Sequence, residues 1–226
     1  MGFRDFYKAE HPYGMSALDD YAKKSVITPY ITRESKDRMV QVDVFSELMD
    51  NRIMFLGDEI NSDVCCIALS QLVYLHAVNP TAPITVYIMS PGGEVYSGMA
   101  LYDTMELIKK DCVINTTCLG LAASMGSILM QGGTRGYRSA LPHSRIMVHS
   151  ASTGAERITY PDLRIMADET EQLNNELLRI LSESSGKPFE EVEKDCQRDC
   201  WVRADDALPG KYGEFGLIDK IIDKLN

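Results

Sequence analysis

Residues 112–131 read CVINTTCLGLAASMGSILMQ. The run at 112–118 is strand-forming, the residues after it are small, and a helix is expected from Ser124 to about 131. A strand that turns directly into a helix is the unit from which parallel sheets covered by helices are built. The flanking segments repeat it. ITVYIM at 84–89 is a strand stopped by Ser90, Pro91 and two glycines, and 94–109 is helical with Met99, Tyr102, Met105 and Ile108 along one side. Upstream, VDVFSELMDNRIMFLG gives a short helix and a strand at 53–56. A helix over about 61–77 then presents Val64, Ile67, Ala68, Leu72 and Leu75, capped by Asn61, Ser62 or Asp63.

Downstream, two short strands are expected near 137–141 and 145–149. PDLRIMADETEQLNNELLRILSES then forms one long amphipathic helix, with Leu163, Met166, Leu173, Leu177, Leu178 and Leu181 near one face. That face packs either on its own domain or on another subunit. A helix at 188–198 and a strand near 216–222 close the chain, while residues 1–26 are polar and aperiodic, a leader. The fold class is α/β.

A chain of 226 residues suits one such domain, and 45% apolar with 25% charged residues is ordinary for a packed core. A net charge of -10 argues against a nucleic-acid partner, which needs clustered Lys and Arg. No apolar stretch approaches the roughly 18 residues that span a bilayer. MGFRDFYKAE lacks a signal-peptide core, and Phe6 stands where a myristoylation signal wants Ser or Thr. Six cysteines, at 65, 66, 112, 118, 196 and 200, match no zinc spacing and read as reduced thiols of a cytoplasmic protein. No metal or cofactor is expected in this chain, and without a GxxxxGK[ST] loop it is not expected to bind ATP itself.

Ser124 in GLAASMGS and His149 in RIMVHS are the candidates for chemistry. Serine attacks carbonyl carbon only when a base takes its proton, and imidazole does so near neutral pH. The glycines of IMSPGG supply backbone that can hold a developing oxyanion. A carboxylate must orient the imidazole, and spacing leaves Asp103, Asp162, Asp168, Asp195 and Asp199 all open.

SPGGEVYSGMALYDTMELIK, GLAASMGS, GYRSALPHSRIMVH, QRDCWVRADDA and FGLID, in that order, resemble the ClpP family, the proteolytic subunits of Clp proteases. The resemblance runs from about residue 27 to the end. It implies a ClpP/crotonase-like fold of repeated β-α units, with a peptidase domain at 27–226 and a protruding handle helix and strand at about 150–186. The segment at 1–26 corresponds to a propeptide. The resemblance further implies Ser124 as nucleophile, His149 as general base and Asp199 as its orienting acid, with Asp195 the fallback. Backbone N–H groups of Gly93 and Met125 would form the oxyanion hole. Two stacked heptameric rings, homomeric or mixed with a paralogue, would receive unfolded polypeptide from a hexameric AAA+ ATPase that consumes the ATP. Rim pockets for that ATPase would include Tyr87, Leu107 and Ile222, with Thr85 and Ser139 in place of aromatics.

Three departures stand out. Ser150 and Ala151 replace Gln-Pro after the histidine, Gln197 replaces an acid beside Arg198, and LPGKYG at 208–213 reads as an insertion whose Pro209 and Gly210 end a short helix. Arg198 would then need another acid, such as Asp168 or Glu169. Two rival readings follow: a regulatory or weakly active paralogue in mixed rings, and a crotonase-type acyl-CoA enzyme.

Overall fold

A computed structural model describes residues 30–35, 38–154 and 158–224, which divide along the chain into two compact units between Asn51 and Arg52. The leader expected at 1–26 lies outside the described residues.

The N-terminal unit is a hairpin and a helix. Strands β1 (Tyr30–Ser35) and β2 (Arg38–Asp43) pair antiparallel, from Tyr30 opposite Asp43 to Ser35 opposite Arg38. Helix α1 (Val44–Asp50) starts where the Asp43 carboxylate accepts from the N–H groups of Phe45 and Ser46, both at 3.1 Å.

The second unit alternates strands and helices: β3 (Ile53–Leu56), α2 (Ser62–Val78), β4 (Ile84–Ser90), α3 (Val95–Ile108), β5 (Ile114–Ala123) and α4 (Met125–Gln131). Then come β6 (Arg138–Ala140), β7 (Arg145–Val148), α5 (Tyr160–Ser185), α6 (Phe189–Cys196), β8 (Cys200–Arg203) and β9 (Lys220–Ile221). The sheet runs β3-β4-β5-β6-β9 with every pairing parallel, and β7 joins it beside β5. Parallel strands covered on both faces read as continuous apolar runs. Ile84, Val86 and Ile88 of β4 and Ile114 and Cys118 of β5 are accordingly sealed from solvent.

Most helix boundaries fall within two residues of expectation, because capping chemistry sets them. Asn61 caps α2 through Val64 N–H at 2.9 Å, and α5 ends at Gly186 in the left-handed region. The faces need correction. The buried stripe of α2 is Cys65, Ala68, Leu72 and Leu75, leaving Ile67 40% exposed, about 100° round the helix from Ala68. In α3 the buried residues are Gly98, Leu101, Met105 and Ile108, with Met99 and Tyr102 half-buried. In α5 only Leu177, Leu178, Leu181 and Ser185 are buried, so the C-terminal half packs on its own domain, while Leu163, Ile165 and Tyr160 stand exposed.

Strand β8 was not anticipated, and the helix expected over 188–198 stops at Cys196 to make room for it. The closing strand is only two residues long. The handle region has no strand over 150–154, and 155–157 lie outside the described residues. A 3-10 turn at Ala204–Ala207 ends just before Pro209, where proline removes the donor needed to continue. Arg138, 1% exposed, ties the layers together: its guanidinium donates to Asp219 at 2.8 Å, Gln131 at 2.7 Å, and the Ser184 and Phe215 carbonyls.

Candidate active site

Strand β5 has two neighbours on one side. Thr116–Cys118 pair with β6, and Leu121–Ala123 pair with β7 in the register Leu121–Arg145 to Ala123–Met147. That register sets Ser124 level with Val148, and Ser124 N–H donates to the Met147 carbonyl at 2.9 Å. Strand β7 pairs antiparallel with β8, Val148 opposite Cys200, so the next residues outward, His149 and Asp199, face each other. Three strand ends thus deliver a hydroxyl, an imidazole and a carboxylate to one point.

Ser124 Oγ lies 2.8 Å from His149 Nε2, and His149 Nδ1 lies 3.3 Å from Asp199 Oδ1. With the carboxylate beside Nδ1, the neutral ring keeps its proton there and offers the Nε2 lone pair to the hydroxyl. The other acids are elsewhere. Asp195 pairs with Lys187, Asp162 accepts from Thr159 at the start of α5, and Asp103 and Asp168 are exposed on their helices.

Ser124 is the N-cap of α4 but caps nothing with its side chain, which is turned to the histidine instead. Its backbone sits at φ 51°, ψ −123°, a conformation that costs a non-glycine residue about 1–3 kcal/mol. The turn is braced by Ser127, whose N–H and Oγ both donate to the Ser124 carbonyl, at 2.9 and 2.6 Å. Gly92 packs beneath at φ +96°; a Cβ there would lie 2.5 Å from Ser124 Cβ. Helix α4 is buried along its whole length, so its first-turn dipole meets little solvent screening.

Gly93, at φ +148°, bridges Ile60: Ile60 N–H donates to Gly92 O and Glu94 N–H to Ile60 O, at 2.8 and 2.7 Å. A Cβ at Gly93 would fall 2.1 Å from Ile60 O. This pattern aims Gly93 N–H away from Ile60. Neither it nor Met125 N–H has an acceptor among the described residues. Both residues line a cavity of about 190 Å³ together with Ser124 and His149, and Val95, Ile128, Leu177 and Leu181 make its apolar wall. The arrangement can activate a hydroxyl beside two free N–H donors and a slot for an apolar side chain.

Sequence reasoning missed the ties behind His149. Ser150 N–H and Oγ both donate to the Cys196 carbonyl, at 2.7 and 2.9 Å, and Ala151 N–H donates to Asn174 Oδ1 at 2.9 Å. No sequence pattern signals such contacts. Cys196 itself is inert: burial pushes its thiol up to about 12. All six cysteines are free, and among the described residues no cluster of His, Cys, Asp or Glu could hold a metal. Arg198 forms no ion pair among the described residues, and Glu169 accepts from Tyr96 at 2.9 Å. Of the expected rim residues, Tyr87 is 6% exposed against Phe55 at 5.2 Å between ring centres, Ile222 is half-buried, and Leu107 is exposed.

The family model described as Clp protease matches residues 35–225. An ATP-dependent Clp protease proteolytic subunit of Porphyromonas gingivalis is 46% identical, covering 92% of this chain and 91% of that one. One of Bacteroides fragilis is 42% identical over 96% of this chain and 97% of its own. Proteolytic subunit 1 of Salinibacter ruber is 38% identical over 90% and 84%.

Proposed function

This chain belongs to the Clp protease family, and we propose that it hydrolyses peptide bonds with Ser124 as nucleophile, His149 as general base and Asp199 as the orienting acid. It is a serine endopeptidase, the proteolytic subunit of an ATP-dependent Clp protease. The observation that carries the residue assignment is the 2.8 Å contact between His149 Nε2 and the hydroxyl of a residue held at φ 51°.

His149 Nε2 takes the Ser124 proton as Oγ bonds to the peptide carbonyl carbon, and the carbonyl electron pair moves onto oxygen. Gly93 and Met125 N–H groups stabilise that oxyanion. When the tetrahedral centre collapses, the C–N bond breaks and His149 gives its proton to the leaving amine. Water repeats the sequence on the acyl-enzyme: His149 takes its proton, hydroxide attacks, and Ser124 recovers its own. Asp199 stays ionised and stabilises the imidazolium in both halves.

Among the described residues no helix is long and apolar enough to cross a membrane. For assembly, the reading is two stacked heptameric rings in the cytoplasm, fed with unfolded polypeptide by a hexameric AAA+ ATPase. The ATP belongs to that partner. The exposed Leu163 and Ile165 on α5 support contact with a second copy.

The test is fluorogenic-peptide turnover with fluorophosphonate labelling. Ser124→Ala and His149→Ala should cost on the order of a millionfold, and Asp199→Ala roughly ten-thousandfold. Asp195→Ala, whose partner is Lys187, should stay within a few-fold. The reverse ranking of the two aspartates would reassign the triad, and an unlabelled Ser124 would sink the reading.

A further inference from the structure

The chain leaving His149 departs from the sheet, yet its first residues are held. Ser150 is tied by two hydrogen bonds to the Cys196 carbonyl at the end of α6. Ala151, half-buried, donates its N–H to Asn174 Oδ1 at 2.9 Å. Asn174 is half-buried on α5, one turn before Leu177. Ala151 and Ser152 line the cavity beside Ser124, and Leu177 and Leu181 of α5 line it too. Two walls of that cavity are therefore fastened to each other at a single side-chain oxygen. Further along, the only tie among the described residues is Thr153 Oγ1 to Met166 Sδ at 3.6 Å, a weak acceptor on an exposed stretch.

We propose that Asn174 is a positioning residue for peptide binding: its side-chain oxygen holds Ala151 N–H, and so keeps the Ala151–Ser152 wall where a peptide seated at Ser124 meets it. This rests on the serine-peptidase reading above. The ties of Ser150 to Cys196 do not involve Asn174, so His149 keeps its place without it. The effect of Asn174 thus falls on KM and spares the reacting groups. Position 151 is also where this chain carries Ala in place of the proline noted above, and alanine has an N–H that needs an acceptor where proline has none.

The experiment compares full-length wild type with Asn174→Ala, Asn174→Asp, Ala151→Pro and the Ala151→Pro/Asn174→Ala double variant. Peptide KM and kcat are measured alongside the rate of fluorophosphonate labelling at Ser124. Asn174→Ala should raise KM roughly two- to tenfold, the range one neutral hydrogen bond commands, with kcat and labelling within twofold. Asn174→Asp keeps the acceptor and should recover most of the loss. In the Ala151→Pro background, which lacks the donor, Asn174→Ala should add nothing. An unchanged KM in Asn174→Ala overturns the proposal. So does a loss shared equally by kcat and labelling, or an Asp variant as impaired as the Ala one. A wild type that neither labels at Ser124 nor cleaves peptide overturns the underlying reading instead, and the proposal with it.

Discussion

Gly92→Ala should cripple the enzyme through backbone sterics alone. Gly92 is buried at φ +96°, outside the range alanine adopts without strain. Its new methyl group would lie 2.5 Å from Ser124 Cβ, 2.7 Å from Ala123 O and 2.9 Å from Met125 N. All three belong to the turn that carries Ser124, and none is the end of a flexible side chain. Relief to ordinary contact requires a shift of about 1 Å in Ser124, and misplacement of that size costs on the order of a hundredfold in rate. The positive φ adds roughly 1–3 kcal/mol of strain, which lowers Tm by about 2–12 °C in a chain of this length. The assay is kcat/KM on a fluorogenic peptide and the fluorophosphonate labelling rate, both well below the variant's Tm, with calorimetry alongside. Both rates should fall together, since the reacting atoms themselves are displaced. Activity within threefold of wild type would refute the reasoning, because it would mean the turn yields without moving the hydroxyl.

Arg138→Met should destabilise the fold by about 3–5 kcal/mol, because Asp219 loses its guanidinium while staying largely buried; a loss under about 1 kcal/mol in denaturant titration would contradict this. Burial pushes the thiols of Cys65 and Cys118 up to about 11 and that of Cys196 up to about 12. In native protein at pH 8, iodoacetamide should therefore modify the exposed Cys66 and spare those three, as read by peptide mass spectrometry. The same shifts fix a sign. The folded thiols keep their protons to higher pH than the unfolded chain, so their contribution is complete below about pH 8.5 and declines as pH rises toward 11–12. Rapid labelling of Cys196, or stability flat between pH 8 and 10.5, would contradict that account.

The alternation of strands and helices is legible because the elements carry their own periods and their own start and stop signals, such as Asn61 at one helix start and Pro91 with two glycines after β4. The buried faces are less legible. Ile67 and Met99 are apolar, but burial follows the angle at which a helix meets the sheet, which no local pattern contains. Strand β8 escaped because CWVR is four residues long and follows a helical stretch whose end carries no glycine. Strand β8 matters most, since its pairing with β7 sets the residue just before it, Asp199, against His149.

Residue types and their order along the chain are local properties, and they sufficed for the α/β class, the strand-to-helix turn at Ser124 and the histidine closing a strand. Spacing left five aspartates open, and a family resemblance was needed to single one out. Within the molecule the antiparallel register of Val148 with Cys200 sets Asp199 opposite His149, while Asp195 pairs with Lys187. The positive φ of Ser124 and the hold of Asn174 on Ala151 belong to the same kind. Each depends on which strands and helices become neighbours, a matter of packing between segments far apart in the chain, and so each exists only in the folded protein.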